Sequence, residues 1–450
     1  MDPSLTDASP AGTNGKNPTP NGAPAPPAGG RPTFVERLVR RLFPRLDTPL
    51  HLTLWNGAEF VTAPGRPVAR LRIRDRRALW QLFLDPELGF GDAYSDGRIE
   101  VEGDFVAFLC DACRRPPATA PMRLLKRRLA GWWFARPSAN SLDGSRDNIS
   151  HHYDIGNDFY RLWLDEQLVY TCAYYPRPGM TLEEAQRAKM DHVCRKLQLR
   201  PGETVVEAGC GWGALALHMA RHYGVSVTAF NISAEQVAYA QERARAEGLS
   251  GRVQFVRDDY RNIGGPCDVF VSVGMLEHVG VAHYRELGGV IRRCLKPDGR
   301  GLLHFIGRNR PQPTSPWLER RIFPGAYMPS LREAMRVLEP WQFSVLDVEN
   351  LRLHYAKTLE HWLERFERNA GAVERMFDRR FVRAWRLYLS SSMAAFLVGN
   401  VQLFQIVFAG AENNDIPWSR EHVYGARPGA LPAPKSAAFG GDRSWKAATF

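Results

Sequence analysis

From Thr204 onward the chain alternates short runs of β-branched and aromatic residues with amphipathic helical runs. This alternation constrains the fold more than any other feature. TVVEAG, VSVTAF, RVQFVRDD, CDVFVSVG and GRGLLHFIG read as strands; ALALHMARHY, SAEQVAYAQERARAEG and HYRELGGVIRRCL, the last ended by Pro297, read as helices. That order builds a parallel sheet covered by helices on both faces. Residues 331–410 read as mostly helical, with many aromatic side chains. In an open α/β sheet, ligands lie beyond the carboxyl ends of the strands. Gly209, Gly211 and Gly213 stand there after the first strand, where missing side chains let a ligand touch main chain.

By itself the glycine pattern admits NAD, FAD, S-adenosylmethionine or a plain tight turn. Two details narrow it. The run is G-C-G-W-G-A, not the GxGxxG of a dinucleotide fingerprint. The second strand is followed by Asn231 and Ser233 rather than by an acidic residue for a ribose diol. The third runs into RDDYR, where Asp258 or Asp259 offers a carboxylate to an adenine amine and Tyr260 a ring to its face. S-adenosylmethionine fits better than NAD, because no pyrophosphate has to be housed. VGMLEHVG then puts Glu277 and His278 just past another strand, at the same carboxyl edge. In LLHFIG, strand alternation sets Leu302, His304 and Ile306 on one side and Leu303 and Phe305 on the other.

Around this sheet the chain divides into four parts. Residues 1–32 are rich in Pro, Gly and Ala and read as disordered. Residues 33–137 read as a small α+β domain, residues 138–425 as the catalytic domain, and 426–450 as a loose tail. Two segments of the small domain are basic and apolar together. FVERLVRRLFPR places Phe34, Leu38 and Leu42 on one helical face; MRLLKRRLAGWWFARP sets Leu125, Leu129, Trp132 and Trp133 among four cations. With a net charge of +11, they point to an anionic membrane surface, although a helix packed on its own domain with a solvated basic face has the same pattern. No run has the eighteen or so apolar residues of a spanning helix, and the polar N-terminus lacks a secretory core. The expectation is a cytoplasmic protein held peripherally at the inner face of the membrane. Seven cysteines with one CxxC, Cys110 and Cys113, suggest neither a disulfide framework nor a metal site. Pro266-Cys267 precedes its strand, so it sits away from the cofactor and is no base-methylating nucleophile. A nucleic-acid partner is not expected.

Several stretches in order, HYDIGNDFYRLWLD, VYTCAYY, EAGCGWGALA, VGMLEHVG, LLHFIG, HYAKTLEHW and VQLFQIVF, resemble the cyclopropane-fatty-acyl-phospholipid synthases and the related mycolic acid cyclopropane synthases. The likeness runs over roughly residues 85–410, and GDAYSDG resembles the small N-terminal domain of the phospholipid-acting members. It implies an α/β fold: a Rossmann-like class I methyltransferase sheet with helical lipid-binding insertions, plus a small N-terminal α+β domain. It implies that Tyr170, Thr171, Gly209, Gly211, Gly213, Asn231, Ser233, Gln236, Asp259 and Tyr260 meet S-adenosylmethionine. It also implies a bound bicarbonate on Glu277, His304 and Tyr355, with main-chain contacts from Cys172 and Ile306. The partners implied are unsaturated phospholipids and, at family level, a second subunit in a homodimer. Ser392 stands where the family often has Cys, and FLVGN lacks the family's arginine, so a thiol contact to the anion is not available there.

The chemistry suits these residues. An alkene is a poor nucleophile and must meet the sulfonium methyl in line, in a dry groove. The resulting carbocation closes a ring when one proton leaves the new methyl, which calls for a weak base that is not itself alkylated. Tyr174, Tyr175 and Trp362 offer ring faces to the cation. Cys172 has no nucleophilic role in such a scheme, and His278 is expected to orient its loop. Rival readings are methyl transfer without ring closure, another small-molecule or nucleic-acid methyltransferase, and a lipid-binding relative without activity.

Overall fold

A computed structural model describes residues 34–42, 49–114 and 155–424. The stretch 1–32, the basic segment 122–137, His152–Asp154 of the first motif and the tail 426–450 lie outside the described residues.

The N-terminal part is a four-stranded sheet in the order β2-β1-β3-β4, built from β1 (Leu50–Thr53), β2 (Glu59–Val61), β3 (Ala69–Ile73) and β4 (Ile99–Gly103). Ala69, Leu71 and Ile73 face inward, while Arg70 and Arg72 point out, opposite Glu102 and Glu100. Four helices go with it: α1 (Phe34–Leu42), α2 (Arg76–Leu84), α3 (Pro86–Ser95) and α4 (Phe105–Arg114). Asp75 caps α2 by accepting from Ala78 N at 2.7 Å, and Asp85 caps α3, with Pro86 in its first turn. On α1, Leu38 and Val39 are buried, so that face is used in packing, while Arg37 remains exposed.

The larger sheet runs β10-β11-β9-β8-β5-β6-β7. Its strands are β5 (Thr204–Ala208), β6 (Ser226–Asn231), β7 (Val253–Arg257), β8 (Cys267–Val273), β9 (Leu295–Gly307), β10 (Ser344–Asn350) and β11 (Gln402–Ala409). Neighbours are parallel except at β11, which is antiparallel to both β9 and β10. The sheet is therefore mixed, and residues 331–410, expected to be mostly helical, contribute two of its strands beside their helices. All eight residues of β11 are buried, so it shows no alternation; β10 is an edge strand with Val345 and Val348 exposed. β9 also begins earlier than GRGLLHFIG. Its pairing with β8 slips between Cys267↔Leu295 and Val269↔Arg300, and Pro297 falls in that irregularity.

The connecting helices include α5 (Asn157–Arg161), α6 (Leu182–Lys196), α7 (Ala214–Tyr223), α8 (Ala234–Ala246), α9 (Leu276–Val279), α10 (Tyr284–Cys294), α11 (Arg352–Arg368) and α12 (Arg379–Leu397). α6 starts on a capping box, with Thr181 and Glu184 each bonding the other's backbone N–H. Val205, Val271 and Leu302 join the core under α6, α7 and α8. Val206, Phe270, Leu303 and Phe305 join the one under α10. A third apolar cluster is continuous from the N-terminal sheet through α5 to α11 and α12. GDAYSDG lies on this seam. A Cβ on Gly91 would sit 2.2 Å from the Trp317 ring, Asp92 takes two bonds from Arg321, and Arg383 donates to the carbonyls of Tyr94 and Ile99. Among the described residues, no helix is long and apolar enough to cross a membrane.

Candidate active site

β5 is flanked by β8 on one side and β6 on the other, so the sheet's order reverses at its carboxyl end. The turn there has Gly209, Gly211 and Gly213 at φ of 85°, 54° and 82°, in the left-handed region that other residues adopt at a cost. A Cβ on Gly213 would meet the Phe255 ring at 2.6 Å, so this glycine lets α7 approach the sheet. A Cβ on Gly211 would meet nothing within 4 Å, so its face is open. Asn231 at the end of β6 donates to Gly211 O at 3.2 Å and to Gln236 Oε1 at 2.7 Å. Ser233 caps α8 by accepting from Gln236 N. Gln236 Nε2 is buried with no partner among the described residues. Asp259 is buried and accepts from Arg261 N, and the Arg261 guanidinium stands 5.0 Å over the Tyr260 ring.

α5 closes over this turn. Trp212 Nε1 donates to Asn157 Oδ1 at 2.6 Å, and the Trp212 ring packs on Tyr160. The segment 169–172 follows. Gln186 on α6 donates to the carbonyls of Val169 and Thr171, and Lys189 donates to Thr171 Oγ1. The Tyr170 ring lies among Tyr160, Trp163 and Trp362, and its hydroxyl is 2.8 Å from that of Tyr388. Cys172 is fully buried, which drives its thiol far up from its ordinary range and keeps it protonated.

Glu277 opens α9 and is buried. Its Oε1 accepts from Ile306 N at 2.6 Å, while Oε2 is buried with no partner among the described residues. Burial pushes this carboxyl up to about 7. The Ile306 N–H is thus used by Glu277 rather than left for an anion. His304, on β9 across from Gln405, accepts at Nδ1 from Gln405 Nε2 at 3.0 Å, which leaves the ring proton on Nε2. Burial, then the Lys189 charge, depresses its pKa well below the ordinary value, so the ring is neutral. Tyr355 on α11 is buried against Phe396 and Trp362. Trp362 in turn touches Tyr170, which ties the α11 side to the cofactor loop. Ser392 lies on α12.

Some expectations land elsewhere. The Tyr174 ring stacks on His192 at 4.1 Å and on His354, and Tyr175 stacks on His361, so their faces are taken by imidazoles rather than offered to a cation. His278 packs near Phe323, and burial holds its pKa at about 4. Residues missed in the sequence include Glu207, Gln186, Lys189, Asn157, Tyr388 and Gln405. Glu207 had a visible signal, as a carboxyl inside an apolar strand two residues before the first glycine. It is buried, pushed up to about 7 by burial, and its Oε2 has no partner among the described residues.

An open glycine turn at the sheet's reversal point, ringed by buried polar atoms, is the place for a bound cosubstrate, and the comparisons make the chain an S-adenosylmethionine-dependent methyltransferase. The family model described as mycolic acid cyclopropane synthetase matches residues 140–406, and the chain belongs to that family. A second model, described as a domain of unknown function, matches residues 34–117. The chain is 42% identical over 366 residues to the cyclopropane-fatty-acyl-phospholipid synthase of Escherichia coli K12, covering 78% of this chain and 90% of that one. It is 31% identical over 396 residues to the tuberculostearic acid methyltransferase of Mycobacterium tuberculosis, covering 84% and 92%. The solved mycolic acid cyclopropane synthase CmaA1 with SAH and CTAB superposes with a TM-score of 0.56 at 31% identity, covering 58% of this chain and 97% of that one.

Proposed function

We propose that this enzyme adds a methylene from S-adenosylmethionine across a cis double bond of an unsaturated phospholipid acyl chain, giving a cyclopropane fatty acid. The observation that carries the reading is Glu277: a buried carboxyl near half-protonation at neutral pH, one oxygen fixed by Ile306 N and the other without a partner among the described residues, at the same sheet edge as the glycine turn. The cosubstrate supplies an electrophilic sulfonium methyl, and bicarbonate supplies a weak base. The open face of Gly211, with Gln236 Nε2 and Glu207 Oε2 unpartnered among the described residues, fits a ligand with hydroxyl and ammonium groups. Gly209, Gly213, Asn231, Ser233, Asp259 and Tyr260 shape that site, and Tyr170 and Thr171 cover it. Glu277, neutral His304, Tyr355 and the Cys172 main chain suit a small oxyanion that carries a proton.

In the reaction the methyl carbon bonds to one alkene carbon as its bond to sulfur breaks. The neighbouring carbon, now cationic, closes on the methyl as one methyl proton leaves, for a net gain of CH2. Tyr160, Trp163, Tyr170, Trp362 and Tyr388 form the aromatic wall that excludes water beside the cofactor loop. Methyl transfer without ring closure is the second reading, favoured by the resemblance to a named methyltransferase. For the membrane, the outward face of α2 supports the proposal. Trp80 and Leu84, one turn apart, are exposed at 44% and 49%, with exposed Arg76 and Arg77 beside them.

Incubation with S-adenosylmethionine and unsaturated phospholipid vesicles tests this directly. The expected product has acyl chains heavier by CH2 with cyclopropane proton signals. Vinylic or methyl-branch signals would favour the second reading, and no mass gain would overturn both. In flotation assays, Trp80→Ala with Leu84→Ala should weaken binding to anionic vesicles; unchanged binding would remove α2 from the docking face.

A further inference from the structure

Lys189 sits on the inner face of α6, only 2% exposed. Its Nζ donates to Thr171 Oγ1 at 2.9 Å; among the described residues it makes no other hydrogen bond and no ion pair. Among those residues, two of its three N–H donors therefore meet no acceptor. Asp165 and Glu207 are close enough to act on it electrostatically, with the thiols of Cys172 and Cys194 and the imidazole of His304. Neither carboxylate pairs with it: Asp165 is engaged with the backbone N–H groups of Gln167 and Val169, and burial holds Glu207 near half-protonation. A buried ammonium that two nearby carboxyls act on but neither hydrogen-bonds leaves N–H groups without acceptors, which is costly and is the sign of an anion that completes the site. The hydrogen bond also has a direction. Because the ammonium takes a lone pair of the Thr171 oxygen, the hydroxyl proton is left to point at another acceptor. Gln186, one turn earlier on α6, holds the Val169 and Thr171 carbonyls and so fixes where that hydroxyl sits.

We propose that Lys189, acting through the Thr171 hydroxyl, supplies the positive charge that binds a carboxylate-type oxyanion in the active site. Lys189 is on this view a positioning residue. The inference rests on the reading of the site as binding S-adenosylmethionine and bicarbonate, and those two offer the same chemistry: the methionine carboxylate of the one, or the other as a free anion.

The test uses the full chain with Lys189→Met, Lys189→Arg, Thr171→Val and the Lys189→Met/Thr171→Val double variant. S-adenosylhomocysteine affinity is measured by calorimetry, and turnover is followed against added bicarbonate in CO2-depleted buffer. Lys189→Met should weaken one of the two by about tenfold or more, and Lys189→Arg should recover most of the loss. A loss confined to S-adenosylhomocysteine assigns the methionine carboxylate; one confined to bicarbonate half-saturation assigns the free anion. Thr171→Val should show the same loss, and the double variant no more than either single, because the two act in series. A folded Lys189→Met with both quantities within about twofold of the parent, or losses that multiply in the double variant, overturns the proposal. If Lys189→Met does not fold, Thr171→Val decides, and parent-like behaviour on both arms overturns it. Turnover of the parent that ignores bicarbonate sinks the bicarbonate reading separately and leaves the calorimetric arm to decide.

Discussion

Glu277 carries a stability cost that can be titrated. Its carboxyl sits at about 7 in the folded chain against an ordinary value of 4.5, because burial disfavours the anion. Below pH 4.5 it is protonated in folded and unfolded chains alike, so the cost is absent. As pH rises through 7 the unfolded chain has long since ionised, and the fold loses stability, by about 3 kcal/mol from this group at the order-of-magnitude level. Glu277→Gln should flatten that fall, which urea denaturation between pH 4.5 and 8 would show; an unchanged slope would mean the carboxyl is solvated. The same variant should lose about a hundredfold or more in turnover while binding S-adenosylhomocysteine normally. Gln405 can be tested too. Gln405→Leu leaves His304 Nδ1 buried without its donor, which should cost about 1–3 kcal/mol and lower turnover more than cofactor affinity. Glu277 and His304 were visible in the sequence because the first follows a readable strand and the second lies within one whose alternation fixes its side. Gln405 was not, since it meets His304 only through the register of two strands about a hundred residues apart. Lys189 was hidden for a related reason: a lysine on a helix reads as a surface cation, and only the packing of α6 on the loop at Thr171 buries it.

At the scale of elements, the glycine turn separates folding from binding. Gly211→Ala meets no neighbour, so it should cost about 1–2 kcal/mol of left-handed strain yet block the ligand's approach and lower cofactor affinity strongly. Gly213→Ala adds a collision with Phe255 at 2.6 Å to similar strain, so its larger loss should appear in thermal stability. Equal melting temperatures for the two would contradict this division. β5 to β8 were legible because strand and helix periods alternate cleanly there. β11 was not, because a strand buried on both faces has no period to read, and it follows the apolar end of α12 after only a short break at Gly399 and Asn400. β10, mostly exposed and carrying Asp347 and Glu349, lacks the pattern of a core strand.

At the scale of the molecule, the motif GDAYSDG resembles the small N-terminal domain of phospholipid-acting family members, and its physical reason lies in the seam. Gly91 makes room for Trp317, and Asp92, Tyr94 and Asp96 are gripped by Arg321, Arg383 and Arg380. The apolar cluster is continuous across this seam, so the two sheets should melt together in one transition, as calorimetry would show; two well-separated transitions would mean that the shared core contributes little. α12 gives the seam a practical meaning. One stretch of this helix receives α3 and α4, and its Tyr388 meets Tyr170 beside the glycine turn. Engineers who splice the front end of one relative onto the rear of another would hand α12 a stranger to hold. Such hybrids should regain turnover only when the arginines and apolar residues facing the graft are exchanged with it.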